Sequence, residues 1–239
     1  MNSNLQDIWV YLSASPLAHL TLTLVAFQIG FFIYQKGKLH PLLNPVLIAV
    51  ILVVSFLLFT GTSYKDYFDG AQFVHFLLGP ATVALAIPLY RQFERVRQSA
   101  FAILASLLAG SLTAMLSAVG IGYLLSASTN SLISLAPKSV TAPVAMGISE
   151  QLGGLPSLTA VLVITTGILG AMLGPIVLNL IGVKDMAARG LAMGTSSHGI
   201  GTARALQVSE IAGAFSGLAM GLNALATAIL LPLLWQWIF

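Results

Sequence analysis

Five stretches of this chain, residues 17–35, 42–60, 99–125, 157–182 and 211–239, run for nineteen or more positions without one Asp, Glu, Lys or Arg. An α-helix rises 1.5 Å per residue, so about 20 apolar residues cross the ~30 Å hydrocarbon core of a bilayer. Each stretch therefore reads as a membrane span. Composition agrees: 57% of the residues are hydrophobic and 7% are charged, whereas a soluble domain carries roughly 25% charge to wet its surface. The last run ends on Trp235 and Trp237, which suit an aromatic anchor at the membrane interface. The first run is predicted to be retained, because Asp7 stands where a signal peptide needs cations and no A-x-A site follows.

Three further stretches are apolar but interrupted. Residues 73–90 contain Pro80 and Pro88; residues 137–152 contain Lys138, Pro143, Gly147 and Glu150; residues 189–206 hold two arginines and a cluster of Gly, Ser, Thr and His. A lipid-facing helix does not tolerate such composition, since freed backbone groups find no water there. These are predicted broken or re-entrant helices packed inside protein, with breaks at Pro80, Pro88, Pro137, Pro143, Gly194 and Gly201. The expectation is an all-α integral membrane protein, one membrane domain over 1–239. It has about five full transmembrane helices plus three interrupted or re-entrant segments, in a transporter-like arrangement. A candidate internal repeat at an offset of 57 relates Pro80 to Pro137 and Gly110-x-Leu-x-Ala-Met-Leu to Gly167-x-Leu-x-Ala-Met-Leu. It divides the chain into scaffold helices (17–72), two repeats (73–125 and 137–182) and a broken helix with a C-terminal span (189–239). Paired interrupted helices are a pattern of secondary transporters, where the breaks mark the substrate site.

The formal charge of +3 does not indicate a nucleic-acid partner, because the cations sit in gaps between apolar runs. Lys36 and Lys38, then Arg91, Arg95 and Arg97, read as cytoplasmic by the positive-inside rule. That puts the N-terminus outside, with loops 61–72 and 126–136. Loop 183–188 stays open: outside if 137–152 spans, inside if it re-enters. With no cysteine in the chain, disulfides, thiol catalysis and Cys-based metal sites are excluded. No nucleophile elbow, phosphate loop or H-E-x-x-H occurs, so the reading is no enzyme, no metal and no cofactor.

Two polar stretches carry the chemistry. In Pro137-Lys138-Ser139-Val140-Thr141-Ala142-Pro143, Ser139 and Thr141 can cap a half-helix restarting near Pro143. An exposed helix N-terminus attracts anions and Lys138 adds a full charge; the competing reading is a lysine snorkelling to the interface. In the second stretch, Gly194 to Arg204, Ser196, Ser197, His198, Gly199 and Thr202 offer hydrogen bonds around a break. Arg204 can hold a carboxylate through two parallel bonds, or lie at the interface against headgroups. His198 and Glu150 are candidates for proton coupling, against a structural histidine and a helix-end acid. Gly213, Gly217 and Gly221 have the small-residue spacing of close helix packing, within one chain or across a homodimer.

These motifs bring a family into view. Pro41-Leu42-Leu43-Asn44-Pro45, Val83-Ala84-Leu85-Ala86-x-Pro88-Leu89-Tyr90, Leu135-x-Pro137-Lys138-Ser139-Val140-Thr141 and Ala187-Ala188-Arg189-Gly190-Leu191-Ala192-Met193-Gly194-Thr195, followed by Ser197-His198 and Gly201-Thr202-Ala203-Arg204, resemble the LrgB/CidB family of bacterial inner-membrane proteins. The resemblance runs through nearly the whole chain; Ala142, where a second threonine is common, departs from it. It implies one of two functions. The first is carriage of a small monocarboxylate: pyruvate for bacterial pairs with a small LrgA/CidA-type membrane partner, glycolate and glycerate for a related plastid carrier. The second is a holin/antiholin-like role in murein hydrolase export and cell lysis. The polar cluster favours the carrier, with the carboxylate held by Arg204 or Lys138.

Overall fold

The computed structural model describes residues 16–238, all of them in helices or short connections. Asp7 and the side chain of Trp237 lie outside what is described. Among the described residues five helices are long and apolar enough to cross a membrane, and the protein is an all-α membrane protein. Contacts divide the chain into two compact units, one ending at Ala84 and one beginning at Leu85.

In the first unit, α1 (Pro16–Lys36) and α2 (Pro45–Thr60) are joined by a 3-10 turn at Pro41–Leu43. Asn44 starts α2, its Oδ1 accepting the N–H groups of Val46 and Leu47 at 2.8 and 3.2 Å, and Pro45 fills the first turn, where no N–H is needed. Gly61 ends α2 in the left-handed region, φ 67°. Gly30 lets the two helices touch, because a Cβ there would come 2.6 Å from the Pro45 carbonyl oxygen. Next, α3 (Tyr64–Phe76) returns to the start of α1, where the hydroxyls of Thr23 and Tyr67 meet at 2.8 Å. The interrupted stretch 73–90 becomes the end of α3, then α4 (Leu78–Ala84), then, in the second unit, α5 (Ala86–Arg91). Pro80 and Pro88 are each the third residue of a short helix, so each helps to restart a helix after a break.

The second unit continues with α6 (Phe93–Gln98) and α7 (Ala100–Leu124). After Ser126, at φ 60°, α8 (Thr129–Leu135) turns back against α7, with Leu132 and Leu135 over Gly122. By Ala136 the chain has descended to the level of Met115 and Val119, with which it packs. The direction then reverses. α9 (Ala142–Gln151) climbs out again, and α10 (Pro156–Leu180) starts beside the hairpin's mouth. There the Leu155 N–H donates to Ser134 Oγ at 2.8 Å and Thr159 donates to Ser149 at 2.8 Å. Residues 129–151 thus form a helical hairpin.

A second hairpin enters from the opposite end of α10. α11 (Met186–Val208) starts with Asp185 as its cap, Oδ1 accepting Ala188 N–H at 2.9 Å. It runs antiparallel along α10, with Met193 over Gly174, Ser197 over Gly170 and His198 over Gly167. At His198 the backbone leaves helical geometry, φ 42° and ψ −133°. The chain doubles back: Gly201 lies against the Met193 carbonyl, and Ala205 packs with Leu178, Met193 and Ala212. α12 (Glu210–Ile238) then runs parallel to residues 186–197, its backbone meeting Gly190 at Ala212 and Gly194 at Ser216. One correction follows. Gly194 and Gly201 are not the breaks; both lie in helical turns and make close contacts possible, while the break falls on His198. The open loop is also placed: Arg95–Asp185 at 2.7 Å and Arg91–Glu210 at 2.9 Å put it at the same end of the unit as the arginines.

Candidate functional site

Both hairpin tips reach the level of Val163, two turns into α10. Val140 of the first tip packs with Val163 and Ala145. His198 of the second places Nε2 3.0 Å from the Val163 carbonyl oxygen. A carbonyl only accepts, so Nε2 carries the proton in this bond. Gly167 makes room for the ring, since a Cβ there would stand 2.6 Å from Cε1.

The first tip is a non-helical connection between two short helices. Thr141 takes the extended N-cap position of α9, φ −63° and ψ 145°, yet its side chain makes no capping bond. The first amides of α9 therefore face the tip uncapped by Thr141. Lys138 is half-buried there, its Nζ 3.3 Å from Ser139 Oγ. Among the described residues no acid comes within salt-bridge reach of it. A buried ammonium is costly without a counter-charge.

The second tip is closely fastened. Thr202 Oγ1 donates to the His198 carbonyl at 2.8 Å and meets Ser216 Oγ at 2.9 Å. Ser197 is fully buried and bonded to Ser196 at 2.9 Å, and Ser196 donates to the Ala192 carbonyl. Gly199 is exposed. Arg204 stands away from the tip, six residues or roughly 9 Å of helical rise beyond His198. With Arg189 and Pro175 it lines a small hollow near the hairpin's mouth. Glu150 is exposed at the far end of α9. The structure thus brings Lys138, Ser139, Thr141, His198 and Thr202 toward one level and leaves Arg204 and Glu150 near opposite mouths.

Sequence reading missed the residue that joins the tips. Asn223, on α12 and 1% exposed, donates from Nδ2 to the Thr195 carbonyl at 2.9 Å and to the Ser139 carbonyl at 3.4 Å. The signal was present: an amide in mid-span is expensive in hydrocarbon and marks a polar interior. Beside this joint a crevice of about 380 Å³ runs between α7 and the first arm of α11, past Ser106, Gly110, Ala192, Thr195 and Ser196.

At the mouth of the second hairpin, outside the spans, the Ala188 N–H and then Arg95 hold the Asp185 carboxyl below the usual carboxylate range. This ties α6 to the start of α11.

Comparison with known proteins gives the family. The model of the LrgB-like family matches residues 23–237. A holin-like protein CidB of Staphylococcus epidermidis is 36% identical over 215 residues, covering 90% of this chain and 93% of that protein. An antiholin-like protein LrgB of Bacillus subtilis is 34% identical over 226 residues, covering 93% and 96%. YwbG of Bacillus subtilis, 36% identical over 218 residues, covers 91% and 96%. No solved structure matches. A family match over nearly the whole length, with relatives that cover nine-tenths of the chain, places this multi-pass membrane protein in the LrgB-like family.

Proposed function

We propose that the chain is a carrier, not an enzyme, for a small monocarboxylate of the pyruvate, glycolate or glycerate type, bound where the two hairpin tips meet. The observation that carries this reading is Lys138: a half-buried cation at a hairpin tip, without an acid in reach among the described residues. A solute carboxylate supplies the missing charge and can leave again, which a protein carboxylate cannot. The uncapped α9 amides add a second attraction for the anion. In this reading Lys138, rather than Arg204, holds the carboxylate, and Arg204 acts at the mouth of the second hairpin. Ser139, Thr141, Ser196, Ser197, His198, Gly199 and Thr202 shape the tips. His198 is the coupling candidate nearest the tips; Glu150 meets protons arriving at the other mouth.

Two spans of 25 residues, α7 and α10, cross in opposite directions and each leads into a hairpin. Span plus hairpin is then the repeating unit, inverted between copies, a pattern found in secondary transporters. The membrane is the bacterial inner membrane, with the Arg91–Arg97 end cytoplasmic and the N-terminus outside. A homodimer, or a small LrgA/CidA-type partner, completes the assembly.

A second reading has its own support. The names of the relatives, holin-like and antiholin-like, favour control of murein hydrolase export and cell lysis over carriage. Proteoliposomes separate the two. The carrier reading expects saturable uptake of labelled glycolate or pyruvate, with at least tenfold loss in Lys138→Met at unchanged thermal stability. The lysis reading expects leakage of a large entrapped dye and no saturable uptake.

A further inference from the structure

The joint between the hairpins leaves a second unmet demand. Asn223 must point Nδ2 at the carbonyls of Thr195 and Ser139, because two acceptors cannot face its oxygen. That orientation leaves Oδ1 to find a donor elsewhere. It is buried, and among the described residues nothing donates to it. A buried acceptor without a donor is uncommon in a well-packed interior and calls for a specific partner.

Ser139 connects this oxygen with the charge beside it. Its hydroxyl receives Lys138 Nζ and its carbonyl receives Asn223 Nδ2. One residue therefore holds both a cation that wants an anion and an amide whose other face wants an O–H. We propose that Asn223 sets the specificity of this site: its oxygen accepts the hydroxyl proton of a 2-hydroxy monocarboxylate whose carboxylate lies on Lys138. The inference rests on the carrier reading above.

Chemistry excludes the near neighbours of that solute. A 2-oxo acid has the same size and carboxylate, but its keto oxygen is an acceptor and would face Oδ1 lone pair to lone pair. A 2-amino acid offers donors, but its ammonium would sit beside the Lys138 charge. A site built to bond a substrate hydroxyl rejects the analogue that lacks it by a large factor, since its own polar group is then left unpaired.

Lactate and pyruvate differ only at this group, so they are the probes. The purified full chain in proteoliposomes is given labelled glycolate, and unlabelled lactate and pyruvate compete. Lactate is expected to compete at least tenfold better. Asn223→Ser puts a hydroxyl in place of the amide; it can donate as well as accept, so the ratio should fall towards one. Equal competition by the two acids in the unmodified chain overturns the inference even if Asn223→Ser does not fold. So does a folded Asn223→Ser protein that keeps the full preference. Saturable uptake with no preference removes this inference and leaves the carrier reading standing. No saturable uptake of any of the three acids removes both.

Discussion

The two hairpins meet at the same level of α10 but are built in opposite ways. The second turns on one residue, His198, and each polar group at its tip is tied: the imidazole to Val163, Thr202 to the His198 carbonyl and Ser216, the Thr195 carbonyl to Asn223. The first turns through residues 136–141, with two prolines nearby. Its main tie to α12 is the longer 3.4 Å bond from Asn223 to Ser139. One tip is closely tied; the other carries Lys138 and is loosely held. If a solute binds between them, movement on binding belongs to the first hairpin, because it has fewer bonds to break. The second is the wall against which it closes.

The sharpest way to break this comparison is to add a side chain at one glycine of each hairpin. At Gly194 a Cβ would meet the Ser216 backbone and stand 2.9 Å from the Ala219 Cβ. Backbone cannot swing aside as a side chain can. Gly194→Val is expected to lower stability by about 3 kcal/mol or more, at the upper end for overpacked cores. At Gly147, in α9, nothing lies within 4 Å. Gly147→Ala should be neutral or add roughly 0.5–1 kcal/mol, the usual gain from removing a helix glycine. Thermal unfolding in detergent reads both, and equal losses would show the hairpins to be equally packed.

The next effect is smaller and local to the tip. Gly167→Ala puts its Cβ 2.6 Å from His198 Cε1 and 2.7 Å from Nε2. The ring must leave Val163, at a cost of about 1–3 kcal/mol. Histidine NMR with the ring selectively labelled would show the loss of the Nε2–H bond; an unchanged spectrum would mean that α10 yields instead.

These residues also show how far sequence alone reaches. Spans were legible because lipid demands long uncharged runs: the expected 99–125 and 157–182 are Ala100–Leu124 and Pro156–Leu180. Interruption at 137–152 and 189–206 was legible for the same reason inverted, since Lys138 or Arg204 cannot face lipid. Direction was not. A chain that kinks and continues and one that kinks and returns share a composition, and only contacts such as Gly201 with Met193 distinguish them. The break itself was misplaced because glycine suggests freedom, whereas here glycines serve close packing and a histidine takes the left-handed φ. Asn223 was passed over because it sits among Gly221, Leu222, Ala224 and Leu225 in a run that reads as plain span. Of the glycines at 213, 217 and 221, only the first meets a tight intrachain neighbour, Leu206.

Thr202→Val tests the fastening of the second tip with little change in shape. It removes the bonds to Ser216 and the His198 carbonyl and leaves the Ser216 hydroxyl without that partner. A loss of about 1–2 kcal/mol is expected, with the lactate-to-pyruvate ratio unchanged if the second tip is only a wall. A changed ratio would place Thr202 on the solute.

The smallest contrast is between the caps. Asp185 caps the second hairpin through Ala188 N–H and pairs with Arg95, whereas the Thr141 side chain caps nothing in the first. Asp185→Ala should cost about 1 kcal/mol, the ordinary value of a lost N-cap, and Thr141→Ala close to none. The sign of the pH dependence follows from Asp185, whose carboxyl is held below its ordinary range by Ala188 N–H and then by Arg95. Its contribution is present above the unfolded value near 3.9 and is lost as pH falls through the lower folded value. The gap in unfolding temperature between the unmodified chain and Asp185→Ala should thus be full at pH 7 and shrink below about pH 4. A gap that persists in acid would mean that the protonated Asp185 side chain, through its bond from Ala188 N–H, holds the second hairpin as well as the carboxylate does.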